Sequence, residues 1–126
     1  DQRAAPIARN VLASAVKLSP NSASRQKTLG ETAYRNGALD VAQAAFEKTI
    51  KISEHSSNKN PGAYVALAKV LSDNNTPEEA LKLLARTQEV FKDSTDMAIQ
   101  TAAAQSAIYQ KTGRLEESRA AMAQAE

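Results

Sequence analysis

The stretch that decides the fold is LGETAYRNGALDVAQAAFEKTI, which runs from Leu29 to Ile50. Apolar and small residues recur at helical spacing on both sides of Asn36-Gly37. The residues that share one helical face in the second half are Ala42, Phe46, Thr49 and Ile50. Glycine after asparagine predicts a helix stop, because glycine takes the left-handed capping conformation without steric cost. The stretch therefore predicts two short helices that fold back on each other.

Small residues mark the place where these two helices meet. At Gly30 and Ala42 one backbone can approach another closely, and Phe46 supplies the bulk that fills the remaining space. A helical hairpin this short cannot bury its own apolar faces, so it must stack on similar hairpins. We therefore expect further copies of the pattern along the chain.

Composition limits the classes of protein that this sequence can encode. The chain has 126 residues, enough for one domain, and 42% of them are hydrophobic although only 4% are aromatic. Much of the apolar content is alanine, which favours closely packed helices. There is no cysteine, so disulfides and thiolate metal sites are excluded. The net charge of +2 gives no argument for nucleic-acid binding, and no apolar run reaches the roughly 18 residues that span a membrane.

Periodicity and stop signals predict seven helices and no strands. Their expected ranges are 3–18, 22–36, 39–54, 61–73, 77–92, 95–112 and 115–126. Ser22, Asn60 and Thr76 are expected to cap the helices that follow them, and Pro61 and Pro77 suit a first helical turn. The chain begins within helical sequence, so we expect it to be part of a longer protein.

The predicted helices repeat in pairs. One pattern of small and apolar residues occurs three times in phase: Gln26-x2-Leu29-Gly30-x2-Ala33 with Ala42-x3-Phe46, Tyr64-x2-Leu67-Ala68-x2-Leu71 with Ala80-x3-Leu84, and Ala102-x2-Gln105-Ser106-x2-Tyr109 with Ser118-x3-Met122. A leading half copy contains Ala8, Leu12 and Pro20. The interval is 34 residues from Ala8 to Ala42 (42 − 8) and 38 residues for each later step (80 − 42 and 118 − 80). We assign one extra turn to the loop before Asn60 and the other to a longer sixth helix.

This pattern resembles the tetratricopeptide repeat family, whose repeat is about 34 residues long. The resemblance covers almost the whole chain and implies an all-α fold, a right-handed α-solenoid of antiparallel helix pairs with about three and a half repeats. The chain would be a single domain, divided into a half repeat (1–20) and three repeats (22–56, 61–94 and 95–126). An ordinary alanine-rich helical bundle is the alternative.

A narrower resemblance covers residues 25–71. This segment is similar to the repeats that follow the receiver domain in certain bacterial response regulators. The residues that carry the similarity are Arg25-Gln26, Leu29-Gly30-Glu31, Asn36-Gly37, Phe46, His55-Ser56, Pro61, Tyr64 and Leu67-Ala68. It implies a cytoplasmic output region of a bacterial two-component protein that acts by binding a partner.

Family resemblance also implies a concave groove lined by the first helix of each pair. The groove residues would be Lys27, Thr28, Glu31, Tyr34, Arg35, Val65, Ala66, Lys69, Ser72, Asp73, Ala103, Ala104, Ala107, Gln110 and Lys111. Tyr34 and Arg35 are the residue types that most often dominate interface energetics. The related carboxylate clamp for chaperone tails is not expected. Lys27 matches that clamp, but its other places hold Glu31, Ala66, Gln100 and Ala104, and a glutamate would repel a carboxylate.

Nothing in the sequence predicts catalysis, a cofactor or a metal site. The single histidine, His55, is interpreted as a partly solvated loop residue that caps a helix C-terminus, with a pH-sensing or partner-contacting role as the alternative. The four glycines are too dispersed for a phosphate loop. We therefore expect a non-catalytic protein-interaction module that binds a partner helix or peptide, without nucleic acid and without membrane insertion. The alternatives are a scaffold in cell-envelope assembly or secretion, which would be periplasmic, and a homo-oligomerisation module. The apolar stripe Ile7, Val11, Leu12 and Val16 predicts a weak homodimer through the first helix.

Overall fold

The structure is a computed structural model that describes residues 22–125, with the side chains of residues 22–124. This part of the chain is all-helical and contains no strand. It holds six helices: α1 (Ala23–Arg35), α2 (Leu39–Ser53), α3 (Pro61–Asp73), α4 (Pro77–Val90), α5 (Thr95–Lys111) and α6 (Leu115–Ala125). They correspond to the last six of the seven predicted helices. The first predicted helix, its apolar stripe and the leading half repeat lie outside the described residues.

All three predicted cap residues lie at the N-cap of their helices, and one of them, Ser22, makes the capping hydrogen bond. The Ser22 hydroxyl accepts a hydrogen bond from the backbone N–H of Arg25 at 3.3 Å, as expected for an N-cap. Ser94 caps α5 in the same way, accepting from the N–H of Met97 at 3.2 Å. α5 is the longest helix at 17 residues, which agrees with the extra turn predicted for it.

Asn60 and Thr76 occupy the predicted N-cap positions of α3 and α4, but neither side chain accepts a capping hydrogen bond. The Thr76 hydroxyl donates to the carbonyl oxygen of Leu71 at 2.7 Å, so it closes the preceding helix instead of opening the next. Asn60 has a left-handed backbone with φ of 50°, and its side-chain amide donates to Ser53 Oγ at 2.6 Å. Both side chains therefore bind backward along the chain, to α3 and α2 respectively.

The three tight turns within the helix pairs recur at a constant interval. Each contains one left-handed residue: Gly37, Asn75 or Gly113, with φ of 76°, 64° and 78°. These residues are 38 positions apart (75 − 37 and 113 − 75). The residue after each one donates its N–H to a carbonyl five residues earlier: Ala38 to Ala33, Thr76 to Leu71 and Arg114 to Tyr109, at 2.7–2.9 Å. This bond is the signature of a Schellman cap, so one termination device is repeated three times.

Helices contact only near neighbours along the chain. In the described part, every helix contacts the next one, and α1, α3 and α5 also form a contacting row, α1 against α3 and α3 against α5. The second helices of the pairs, α2, α4 and α6, do not contact one another. Contacts across the turns, such as Ser106 Oγ to Ser118 Oγ at 2.8 Å, show that the paired helices run antiparallel.

Gly30 and Phe46 meet at the crossing of α1 and α2, as the sequence predicts. A Cβ atom placed on Gly30 would lie 2.8 Å from the Phe46 ring, and Phe46 is only 1% exposed. The continuous core extends from this crossing through α3 and α4 to Ile108 of α5. Ala68 and Leu84, the corresponding pair in the next hairpin, are both fully buried in it.

Candidate interaction groove

Two adjoining cavities lie along the row of α1, α3 and α5. The first encloses about 420 Å³ and is lined by Glu31, Tyr34, Arg35, Phe46, Gly62, Val65, Ala66, Lys69 and Gln100. The second encloses about 150 Å³ and is lined by Tyr34, Lys69, Ser72, Asp73, Ala104, Ala107, Ile108 and Lys111. Tyr34 and Lys69 belong to both linings, so the two cavities form one continuous surface. We call this surface the groove.

Eleven of the fifteen residues expected in the groove line it: Glu31, Tyr34, Arg35, Val65, Ala66, Lys69, Ser72, Asp73, Ala104, Ala107 and Lys111. Lys27 lies at its edge, where its Nζ would be 3.6 Å from a Cβ on Gly62. Ala103 is exposed but lines neither cavity. Ser72 contributes little surface, because it is only 8% exposed. Whether a partner contacts these residues stays a prediction.

Sequence reasoning missed several lining residues. Gly62 and Gln100 line the first cavity and are 38 positions apart (100 − 62), so the repeat itself places them at the same point on α3 and α5. Gln100 was identified only as one of the carboxylate-clamp places, and extending the predicted face by one turn toward the start of each helix would have found Gly62 as well. Phe46 reaches the cavity from α2, and only the three-dimensional crossing shows that.

Charged side chains alternate along one edge of the groove. Arg35, Asp73 and Lys111 are the last residues of α1, α3 and α5, and they are 38 positions apart (73 − 35 and 111 − 73). They therefore occupy one structural position in three successive hairpins, with alternating sign. This arrangement lets neighbouring hairpins attract each other at the groove edge.

Asp73 is held by groups from the hairpins on both sides. The Tyr34 hydroxyl donates to Asp73 Oδ2 at 2.6 Å, and the Lys111 ammonium donates to Asp73 Oδ1 at 3.2 Å. The hydrogen bond from Tyr34, with a smaller contribution from Lys111, lowers the pKa of the Asp73 carboxyl. The same bond, together with partial burial, raises the pKa of Tyr34 to about 12. Tyr34, expected as a free contact residue, thus has a structural partner within the groove.

Four charged side chains around the first cavity lack such partners. No ion pair joins Lys27, Glu31, Arg35 or Lys69 to any other residue in the range 22–124. Arg35 donates only a long hydrogen bond of 3.4 Å to Thr32 Oγ1. Three of the four charges are positive. The floor between them is apolar, formed by Phe46, Val65 and Ala66.

The residues at the carboxylate-clamp places meet around the same cavities. Glu31, Ala66 and Gln100 line the first cavity and Ala104 lines the second, while Lys27 lies at the edge. The Glu31 carboxylate therefore faces the space where a clamp would hold a peptide carboxylate.

Within residues 22–124, no group of three or more histidine, aspartate or glutamate side chains is close enough together to hold a metal ion. His55 is exposed in the loop between α2 and α3. None of the helices in the described range combines the length and apolar character needed to cross a membrane.

No protein-family model matches the sequence. No curated protein shows significant sequence similarity to it.

Proposed function

We propose that the chain is a non-catalytic protein-interaction module of the tetratricopeptide type, which binds a partner helix or peptide in its groove. The observation that carries this proposal is the groove's construction: equivalent positions of three successive helix pairs form one continuous surface. Such a surface belongs to stacked repeats, whose extended concave side is the usual binding site.

The packing order supports a solenoid over an ordinary helical bundle. Each described helix contacts only helices one or two positions away along the chain, as in a one-dimensional stack of hairpins. In a closed bundle, the first and last helices would also contact each other. The repeated Schellman turns support the same architecture, because the same cap ends the first helix of each hairpin. The proposed solenoid is right-handed, and its repeats are residues 22–56, 61–94 and 95–126.

Site-specific photo-crosslinking tests this function. The photoreactive residue p-benzoylphenylalanine replaces Ala107, which is exposed in the groove, or Ala44, which is exposed on α2 and lies outside both cavities. Because both sites begin as exposed alanines on helices, the pair is matched for size and accessibility. A partner that crosslinks from Ala107 and not from Ala44 supports binding in the groove. Equal crosslinking from both sites, or from Ala44 alone, places the interface elsewhere.

The similarity of residues 25–71 to receiver-linked repeats supports a more specific role. In this role the chain is the cytoplasmic output region of a bacterial two-component response regulator and acts by binding a partner. The encoded sequence that precedes Asp1 tests it. A receiver domain there supports the role, whereas a secretion signal favours the periplasmic scaffold.

A further inference from the structure

We infer that the preferred occupant of the groove is an acidic peptide segment with one bulky apolar side chain. This inference rests on the proposed function, because it names the chemistry of the partner that the groove binds. It follows from three observations: the apolar floor, the cations around it, and the internal neutralisation of Asp73.

The floor of the first cavity fits an apolar side chain. Phe46, Val65 and Ala66 form it, and the surrounding space of about 420 Å³ accommodates a leucine or phenylalanine side chain. Val65 and Ala66 are only partly buried, so an occupant would remove apolar surface from water. An apolar anchor in a pocket is the usual centre of a peptide interface.

The rim of that cavity favours carboxylates. Arg35 and Lys69 line it, and the Lys27 ammonium lies near Gly62 at its edge. The anions of the groove are Glu31 and Asp73, and the cations are Lys27, Arg35, Lys69 and Lys111, so the groove as a whole carries a charge of +2. Opposite charges steer association and fix the orientation of a partner.

The negative charge of Asp73 does little to offset the preference of the groove for carboxylates. Its two oxygens are engaged by Tyr34 at 2.6 Å and by Lys111 at 3.2 Å, so its charge is compensated within the protein. Glu31 is different, because no cation in the described residues pairs with it. The carboxylates of an occupant should therefore approach Arg35 and Lys69 and avoid Glu31.

The experiment selects ligands from a random twelve-residue peptide display library with the immobilised chain. The enriched peptides are then synthesised with a fluorescent label and an amidated C-terminus, so that no terminal carboxylate contributes. Fluorescence anisotropy gives the Kd for the chain and its variants. We expect the enriched peptides to carry aspartate or glutamate next to a large apolar residue. Replacing that apolar residue with serine should weaken binding.

Charge variants locate the carboxylates. Arg35→Gln and Lys69→Gln should each weaken binding by about tenfold, since each removes a charge-assisted hydrogen bond. Glu31→Gln should tighten binding several-fold by removing a repulsive charge. The matched control is Lys48→Gln, an exposed lysine on α2 away from both cavities, which should leave the Kd unchanged.

The outcomes separate this inference from the function on which it rests. Val65→Trp fills the first cavity. If the selected peptides carry no acidic residues and do not bind this variant, the inference is overturned and the proposed function stands. Failure to select any peptide, or binding unaffected by Val65→Trp, would overturn both. A labelled single-stranded oligonucleotide that binds with the same dependence on Arg35 and Lys69 would also overturn the inference, because it would show a general polyanion site.

Discussion

The hydroxyl of Tyr34 donates a 2.6 Å hydrogen bond to the carboxylate of Asp73, which lies 39 residues further along the chain. Tyr34 belongs to α1 and Asp73 to the last turn of α3, so this bond joins two successive hairpins at the groove. Lys111 of α5 extends the link to the third hairpin. These contacts link the three hairpins at the groove.

Tyr34 should lose its phenolic proton at an unusually high pH. Its pKa is raised to about 12, chiefly by the bond to Asp73, so the folded chain holds the phenolic proton more tightly than the unfolded chain. This stabilisation is complete below the ordinary tyrosine pKa of about 10 and is lost as the pH rises through about 12. We expect Tyr34→Phe to remove a component that titrates at high pH from the tyrosinate absorbance curve. In Asp73→Asn that component should move toward lower pH.

In acid, the contribution of the same bond to stability changes with pH in the opposite direction. The pKa of Asp73 is lowered, so its stabilisation is present above about pH 3.9 and is lost as the pH falls through the lowered value. In Asp73→Asn the free energy of unfolding should therefore fall less steeply as the pH is lowered. Glu47→Gln removes an exposed carboxylate on α2 that accepts a hydrogen bond from Gln43 of the same helix, and it provides the comparison. An identical acid limb in Asp73→Asn and the unaltered chain would show that the bond contributes nothing.

Gly30 should tolerate no side chain. A Cβ at this position would lie 2.8–2.9 Å from three carbon atoms of the buried Phe46 ring, so the ring or a helix must move. We expect Gly30→Ala to lower the free energy of unfolding by about 1–3 kcal/mol, although alanine is the better helix former. Phe46→Ala should lower it by about 3–5 kcal/mol because it leaves a cavity. Urea denaturation followed by circular dichroism measures both.

Two comparisons identify the cause of the Gly30 effect. In Gly62→Ala the new Cβ would meet only the flexible end of Lys27, at 3.6 Å, so this substitution should stabilise the chain by about 0.4–1 kcal/mol. Phe46→Leu added to Gly30→Ala should restore part of the lost stability, because the smaller side chain makes room. Equal effects of alanine at Gly30 and Gly62 would show that the close crossing does not limit position 30.

The final hairpin should lose less stability than the second when an equivalent side chain is replaced by alanine. Leu84 and Met122 occupy equivalent positions, 38 residues apart (122 − 84), yet Leu84 is fully buried and Met122 is 43% exposed. Leu84→Ala should lower the free energy of unfolding by about 2–5 kcal/mol. Met122→Ala should change it by about 0.5 kcal/mol or less, as for surface residues. Chemical denaturation of the two variants under one condition gives the comparison.

The sequence predicted the helices well because the local signals are strong. The turns at Asn36-Gly37 and Thr112-Gly113 carry glycine where a left-handed residue is required, and the small residue at Gly30 marks the close crossing. Asn60 and Thr76 stand at the predicted N-cap positions but make no capping hydrogen bond, because a short polar side chain can bind either forward or backward along the chain. Only the packed structure determines which direction is used.

The residues of the groove were expected from the family resemblance, but their bonding to one another was not. The repeat places Arg35, Asp73 and Lys111 at one position in successive hairpins, which the sequence contains. The bond from Tyr34 to Asp73 joins positions that differ by one residue in register, so repeat alignment alone does not pair them. Its formation depends on the offset between α1 and α3, which is a tertiary property.

A buried hydroxyl pair takes the place of small apolar residues in the last hairpin. Ser106 and Ser118 are 2% and 3% exposed, and their hydroxyl oxygens are 2.8 Å apart. The equivalent positions of the preceding hairpin are Ala68 and Ala80, both fully buried. Replacing one serine leaves the other hydroxyl without its buried partner, so Ser118→Ala should lower the free energy of unfolding by about 1–3 kcal/mol. The double substitution of Ser106 and Ser118 by alanine reproduces the neighbouring hairpin and should be less harmful than the single one, with a coupling of about 0.5–3 kcal/mol in a double-mutant cycle. Ser72→Ala, at a buried serine outside the pair, provides the comparison, and strictly additive losses at Ser106 and Ser118 would show that their hydroxyls do not interact.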